Sequence, residues 1–177
     1  IHTIKSGLTV DENDNLTSLS GLDSLTFLGG ALAIRDNLAL ESIASLAGLS
    51  GSFGSNITVL GNPSLSDLQG LEQITLIDGS LQINGNDGLS ALTGLGSVHT
   101  VTGALQILNN ASLVDIDILT TLEQIGSGLS VQGNNGLESI AGLVNVTAVI
   151  DGNVSIQSND ALLGLSGLEN VPSILGS

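Results

Sequence analysis

The chain has 177 residues, of which 41% are hydrophobic, and it contains no Cys, Met, Trp or Tyr. This apolar content is enough to bury a core and excludes an intrinsically disordered chain. The chain has 17 acidic residues and only two basic ones, Lys5 and Arg35, which give a formal net charge of −15. That balance excludes nucleic acid as a partner, because phosphate binding needs clustered Lys and Arg.

Membrane insertion is not expected either. No run of 18 apolar residues occurs, so the sequence predicts no transmembrane helix, and an anionic membrane surface would repel the negative charge. The chain begins at Ile1 without a basic or apolar leader, which indicates a mature or excised piece. The lack of Cys excludes a disulfide framework and a thiolate metal site.

A repeat of 24 or 25 residues fills the chain, and residues 1–7 precede it as the tail of a preceding coil. Each repeat opens with two apolar residues separated by one residue, which is typical of a short strand that buries one face. An Asn follows five positions after the first of them, and a Leu stands three positions beyond the Asn. The repeats start near Leu8, Leu32, Ile57, Leu81, Leu105, Leu129 and Val154, and their Asn residues are Asn13, Asn37, Asn62, Asn86, Asn110, Asn134 and Asn159.

The second part of each repeat carries an apolar residue at every third position, as at Leu92, Leu95 and Val98. On an α-helix each such step slips by about 60°, so these residues would not form a stripe. Short extended or 3₁₀-like pieces fit better. Two repeats carry one extra residue, near Phe53 and near Ile150. Residues 1–177 are therefore predicted to form a single mainly β domain, a parallel β-solenoid of about seven coils with no long helices.

The Asn that recurs once per coil is interpreted as structural rather than ligand-binding. Its amide group has two donor protons and an acceptor oxygen, which can pair the backbone groups left open at a bend. A buried amide without partners would cost about 1–3 kcal/mol. We therefore expect an internal ladder in which all seven amides point inward.

Two acidic clusters could bind a metal ion weakly. The stretch Asp11–Asn15 is rich in oxygen ligands, as calcium loops are, and Asp115 and Asp117 form a second acidic pair. The stretch is not an EF-hand, and Asn13 belongs to the ladder. The alternative is a solvated acidic edge, and no other cofactor is expected.

No catalytic arrangement stands out. The only histidines are His2 and His99, and His99 takes a position between core residues, where solvent exposure is expected. The solenoid polysaccharide lyases generally combine acids with Lys or Arg and grip sugars with aromatic side chains, whereas this chain has two basic residues and no Trp or Tyr. We therefore expect a protein that is not an enzyme.

Five Asn-x-Ser/Thr sequons occur, which would carry N-linked glycans in a secreted eukaryotic protein. The sequon at Asn110 falls on a ladder residue and should be inaccessible. The glycosylation candidates are Asn15, Asn56, Asn145 and Asn153.

Ice binding is a minor alternative, since flat solenoids can present a regular Thr array. The outward position between the two apolar residues of each strand does not form such an array. It reads Thr9, Ala33, Thr58, Gln82, Gln106, Ser130 and Ser155.

The stretch "LQINGNDGLSALTGLGSVHTVTG", Leu81–Gly103, shows the repeat most clearly and resembles the receptor L domain. The Leu three residues after the Asn, rather than two, separates this pattern from the general leucine-rich repeat. The resemblance covers nearly the whole chain and implies a right-handed solenoid on an extracellular surface, used for binding or scaffolding. The Cys-rich neighbours of receptor versions are missing, so no ligand specificity carries over.

Both ends of the predicted solenoid lack a polar cap, which leaves three explanations open. The chain is one stretch of a longer solenoid, its ends stack on other copies, or short terminal segments cover them. Our first interpretation is a non-catalytic structural or assembly module of an extracellular or cell-surface glycoprotein, with other copies or adjoining repeats as partners. The alternative is a recognition module that binds a protein or glycan on its strand face, although that face lacks the aromatic and Arg anchors common in interfaces.

Overall fold

The structure, a computed structural model, describes residues 1–176. Within that range it has thirteen short strands, three 3₁₀ turns and no α-helix. The strands are β1 Thr3–Ile4, β2 Leu8–Asp11, β3 Phe27–Leu28, β4 Leu32–Arg35, β5 Ser50–Phe53, β6 Ile57–Leu60, β7 Gln73–Ile77, β8 Leu81–Asn84, β9 Thr100–Val101, β10 Ala104–Leu108, β11 Gln124–Ile125, β12 Gly128–Gln132 and β13 Val154–Gln157. The 3₁₀ turns are Ala44–Leu46, Asp117–Thr121 and Ala141–Leu143.

One parallel sheet of seven strands runs the length of the molecule, with one strand from each coil, in the order β2, β4, β6, β8, β10, β12, β13. Each strand pairs with the next in the phase of the sequence repeat. Leu8 pairs with Leu32, Leu32 with Ile57, and so on to Leu129 with Val154. The prediction of a mainly β parallel solenoid is confirmed.

The core lies between this sheet and the rest of each coil. The two apolar residues of each interior strand are buried, as are the apolar residues at every third position that follow. These later residues lie in bends, in the 3₁₀ turns and in a second parallel sheet formed by β5, β7, β9 and β11. Pieces with no α-helical period therefore give one continuous aliphatic core, as the spacing of three predicted.

The two extra residues disturb only the second sheet. In the second coil the register between β5 and β7 shifts between Gly51 and Ser52, and Gly51 takes a φ of +75°. In the sixth coil no strand is assigned around Ile150, which forms a single isolated bridge with Ile174. The seven-stranded sheet stays in register because both insertions lie before its strands begin.

Every coil has a left-handed residue directly before its ladder Asn. The φ angles at this position lie between +49° and +69° in all seven coils. This left-handed conformation turns the chain at the end of the strand so that the side chain of the following ladder Asn points into the core. The residues are Glu12, Asp36, Gly61, Gly85, Asn109, Gly133 and Ser158.

Candidate recognition face

The outward side of the seven-stranded sheet, here called the strand face, carries mostly polar side chains, interrupted by Leu60 and Leu108. Its central column consists of the residues between the two buried apolar positions of each strand, and parallel pairing places them in register. Adjacent strands lie about 4.8 Å apart, so the column is a regular row. From the fourth to the seventh coil it reads Gln82, Gln106, Ser130 and Ser155.

Side-chain hydrogen bonds order the C-terminal part of the strand face. The Gln132 Nε2 group donates to Ser130 Oγ at 2.6 Å and to Ser155 Oγ at 3.1 Å. The Gln157 Nε2 group donates to the same Ser155 oxygen at 2.8 Å. Because both serine oxygens accept from the protein, their hydroxyl protons point away from these bonds and can serve a ligand.

A cavity of about 240 Å³ opens on this part of the face, here called the notch. It lies beside the column at the start of the strands, where Ala104 and Gly128 leave room between Ser80 and Asn153. None of its lining residues is ionisable. They are Ala104, Gln106, Ser127, Gly128, Leu129, Ser130, Asn153 and Ser155.

The Asn ladder lies beneath the far edge of the strand face and holds the coils in register. Asn86 shows its geometry, since its side-chain oxygen accepts from both Asn62 nitrogens, at 3.0 Å from the backbone N and 3.2 Å from Nδ2. Its own Nδ2 donates to the Val59 carbonyl at 3.0 Å and to Asn110 Oδ1 at 3.3 Å. No buried side-chain nitrogen or oxygen lacks a hydrogen-bond partner within residues 1–176.

The expectation that all seven amides are buried holds for five coils only. Asn37, Asn62, Asn86, Asn110 and Asn134 are fully buried. In contrast, Asn13 is exposed and Asn159 is half-buried. The prediction is wrong for these two because no further coil within residues 1–176 covers them. Both remain hydrogen-bonded to their inner neighbours.

Carboxylates cap three of the sharp turns opposite the strand face, in the sequence Gly-Leu-Asp/Glu. Asp23 accepts from the Gly21 backbone N at 2.9 Å and from Ser45 Oγ at 3.0 Å, and these bonds lower its pKa from the ordinary 3.8. Glu169 accepts from the Gly167 N. Its pKa lies below the ordinary 4.5, mainly through a hydrogen bond from its own backbone N–H and then through the Gly167 bond. The carboxylate of Glu72 accepts from the Gly70 N in the same way.

The remaining predicted site residues are scattered. Asp11–Asn15 is exposed throughout, and Asp115 caps the Asp117 backbone N at 3.0 Å. No group of three acidic or His side chains with metal-ligand geometry occurs in residues 1–176. Weak calcium binding stays a prediction. His99 is exposed, as expected, and His2, the second residue of the chain, is also exposed.

All four glycosylation candidates are exposed, while Asn110 is buried. Two of them differ in whether Nδ2, the nitrogen that would carry a glycan, already donates a hydrogen bond. At Asn145 this Nδ2 donates to the Thr120 carbonyl at 2.7 Å. At Asn56 the oxygen is used instead, accepting from the Ser80 N at 2.8 Å. Glycosylation itself stays a prediction.

The family model for the receptor L domain matches residues 73–171, more than half of the chain. The chain belongs to the receptor L domain family. Receptor L domains are non-catalytic binding modules found in extracellular receptors. The first three coils of this receptor L domain lie mostly before the matched range, and they keep the same register and ladder.

Comparisons of this receptor L domain with curated proteins and with solved structures gave no significant match. No helix in the described part of the chain is long and apolar enough to cross a membrane.

The notch is the part of the site that sequence reasoning missed. Its signal was present in the column before each strand, where Ala104 and Gly128 are the small residues between Ser80 and Asn153. The column becomes visible only once the strands are placed in register.

Proposed function

We propose that this receptor L domain is a non-catalytic recognition module that contacts its partner through the strand face. The observation that supports this most is the sheet itself, which presents seven in-register strands with mostly polar outward side chains on one surface. Ser130 and Ser155 are short and already accept hydrogen bonds from Gln132 and Gln157, so this part of the face loses little conformational entropy on binding. Family membership supports a recognition role independently of the surface.

The other surfaces of the coil are less suited to contact. The second sheet has four strands, is interrupted by the shift at Gly51, and does not extend to the seventh coil. The surface with the 3₁₀ turns changes its backbone from coil to coil, since only the second, fifth and sixth coils contain such a turn. The strand face is therefore the one surface that stays regular over all seven coils of residues 1–176.

A matched pair of substitutions in one coil tests the face. Gln106 lies on the strand face and Gln124 lies on the second sheet, exposed on the opposite side of the same coil. The wild-type chain, Gln106→Arg and Gln124→Arg would be applied to arrays of secreted proteins and glycans. We expect Gln106→Arg to lose the wild-type signals at least tenfold while Gln124→Arg retains them. Signals that survive Gln106→Arg, or that Gln124→Arg removes, would contradict the proposal.

The proposal includes an extracellular or cell-surface location. Support comes from the family's occurrence in extracellular receptors and from four exposed sequons on this chain. Expression in a secreting eukaryotic cell, followed by treatment with an N-glycosidase, should lower the apparent mass. An unchanged mass would remove the sequons as support.

A second candidate function is assembly with other copies or adjoining repeats, as a structural module of a filament or surface coat. The observation that favours it is the exposed apolar surface of the last coil within residues 1–176. Leu165 and Ile174 are 57% and 48% exposed, whereas Ile140 and Ile150, their equivalents one coil earlier, are 0% exposed. Covering such residues would be favourable by about 25 cal/mol per Å² of apolar area.

The first coil sets a steric condition on this assembly. A further coil would begin 24 residues after Val154, so Ile174 lies four residues before such a start, as Ile4 lies four residues before Leu8. Two copies stacked with their ladders in register would therefore place the segment 1–7 of one copy where residues near Ile174 of the other already lie. Segment 1–7 is held by β1, which pairs with β3 over two residues only.

Sedimentation velocity of the full chain and of a variant lacking residues 1–7 tests assembly. If copies stack in register, the shortened variant should form concentration-dependent oligomers, and raising the salt concentration should strengthen them by screening the charge of −15. A monomeric shortened variant at all salt concentrations would contradict stacking. Ice binding has no comparable support, because Gln82 and Gln106 interrupt the outward column.

A further inference from the structure

We infer that the notch binds one sugar unit of an uncharged glycan, an inference that rests on the proposed recognition role of the strand face. In the notch, a cavity on this face coincides with several polar side chains that make no hydrogen bond within residues 1–176. Its shape, its hydrogen-bonding groups and its charge each restrict the ligand.

The shape follows from a change in side-chain size along the column that precedes the strands. Ser80 and Asn153 flank the smaller Ala104 and Gly128 in this column, and of these four residues Ala104, Gly128 and Asn153 line the cavity. A side chain at position 128 would be crowded by the next coil, since an added Cβ would lie 3.0 Å from the Asn153 carbonyl oxygen. The cavity of about 240 Å³ is smaller than the sites of drug-sized ligands, which begin near 300 Å³, and suits a single ring.

The hydrogen-bonding groups around the notch are hydroxyls and carboxamides. The side chains of Gln106, Ser127 and Asn153 make no hydrogen bond within residues 1–176. Ser155 accepts from two Gln side chains and keeps its hydroxyl proton for a ligand. Such a mixture of donors and acceptors matches the hydroxyl groups of a sugar, each of which can both donate and accept.

The charge restricts the sugar to an uncharged one. No lining residue is ionisable, and the chain has no Lys or Arg after Arg35. A carboxylate, sulfate or phosphate on the sugar would therefore enter a negative field without a counter-charge. No aromatic side chain lines the notch, so ring stacking does not contribute. Binding of one unit should therefore be weak and should gain strength from repeated units.

Two Ala residues at the same position of different coils give matched variants. Ala104→Gln would fill the floor of the notch, while Ala31→Gln adds the same side chain at the strand face three coils away. The ¹⁵N-labelled chain, produced in bacteria without glycans, would be titrated with methyl mannoside, methyl galactoside and methyl glucoside, and with glucuronate as the charged comparison. Chemical-shift changes of the backbone amides are the readout.

We expect at least one neutral glycoside to shift Gln106, Ser130 and Ser155, with a millimolar dissociation constant, and glucuronate to bind at least tenfold more weakly. Ala104→Gln should remove these shifts and Ala31→Gln should retain them. The inference is overturned if no glycoside shifts the notch, if shifts survive Ala104→Gln, or if glucuronate binds equally well.

The failure of this inference can be distinguished from failure of the proposed function. If Gln106→Arg removes array signals from protein partners while no neutral sugar shifts the notch, the strand face is a recognition surface and the sugar assignment is wrong. If Gln106→Arg leaves the array signals unchanged and Ala104→Gln leaves the glycoside-induced shifts unchanged, the strand face itself is not the contact surface.

Discussion

The ladder Asn residues are the single side chains on which the stacked coils depend most. In the interior each amide links its own coil to those on both sides, and five of them have no contact with water. Removing one amide leaves backbone groups without partners in an aliphatic core, and such groups cost about 1–3 kcal/mol each. The ladder therefore stabilises the fold mainly by avoiding this penalty.

Substituting the central ladder residue should be far more costly than substituting the end one. We expect Asn86→Ala to lower the free energy of unfolding by about 3 kcal/mol, because the Asn62 N–H and the Val59 carbonyl both lose a partner. Asn13→Ala should cost less than about 1 kcal/mol, since Asn13 is exposed. Urea unfolding of the two variants measures the difference, and equal losses would contradict a buried ladder.

The left-handed residue before each ladder Asn is a second requirement at the scale of single residues. An L-residue with a Cβ costs about 1–2 kcal/mol in this conformation relative to glycine. Glycine occupies the position in only three coils, so the requirement does not show as a repeated residue. That is why the sequence repeat predicts the Asn but not the turn that precedes it.

Gly85→Ala isolates this backbone effect. Gly85 has a φ of +67°, and an added Cβ would meet nothing closer than the Gly61 N at 3.7 Å, so crowding contributes little. We expect a loss of about 1 kcal/mol in the free energy of unfolding. Gly164→Ala is the control, because Gly164 is exposed and an added Cβ meets nothing within 4 Å. A loss in the control as large as that at Gly85 would argue against the conformational explanation.

At the scale of elements, three of the turns opposite the strand face have a carboxylate that accepts a hydrogen bond from the turn backbone. The folded pKa of Asp23 is lowered by hydrogen bonds from Gly21 and Ser45. A lowered folded pKa means that the carboxylate stabilises the fold above its unfolded pKa and loses this contribution as the pH falls through the folded value.

The stability difference between wild type and Asp23→Asn should therefore depend on pH. We expect wild type to be the more stable protein at neutral pH, and the difference to shrink as the pH falls below 3.8. Asp14→Asn is the control, since Asp14 is exposed and accepts no hydrogen bond within residues 1–176. Urea unfolding between pH 2.5 and 7, values chosen to span roughly the carboxylate range, gives the profile. A difference that stays constant over this range would show that the Asp23 bonds do not form.

The strands of the main sheet were predictable, whereas those of the second sheet were less so. The strict spacing of the Leu-x-Ile pairs predicts the strands of the main sheet, and the strands pair in the register that this spacing gives. In the second sheet the extra residues near Phe53 and Ile150 break the spacing. The backbone there forms a register shift in one coil and an isolated bridge in the other. An insertion can be located from sequence, but how the chain absorbs it depends on the neighbouring coil.

On the scale of the whole molecule, the strand face follows from stacking and not from any one coil. Each outward side chain is unremarkable in its own repeat, and the notch exists only because Ala104 and Gly128 are neighbours across a coil boundary. The sequence therefore predicts where the face lies and which residues point outward. The notch on this face can be found only by comparing neighbouring coils once their register is known.

The ends of the molecule should differ from its centre for the same reason. Each coil contacts only the coils beside it, so stability in a solenoid is close to a sum of neighbouring interactions. The first and last coils have one neighbour each within residues 1–176, and their ladder amides are partly or fully exposed. Local opening should therefore begin there.

Hydrogen–deuterium exchange of the Asn side-chain amides, followed by NMR, tests the stacked-coil account most directly. The account predicts slow exchange, close to that of global unfolding, at Asn37, Asn62, Asn86, Asn110 and Asn134. It predicts fast exchange at Asn13 and intermediate exchange at Asn159. Fast exchange at all seven amides would contradict it, because those groups would then face water and the strands above them would have no fixed register.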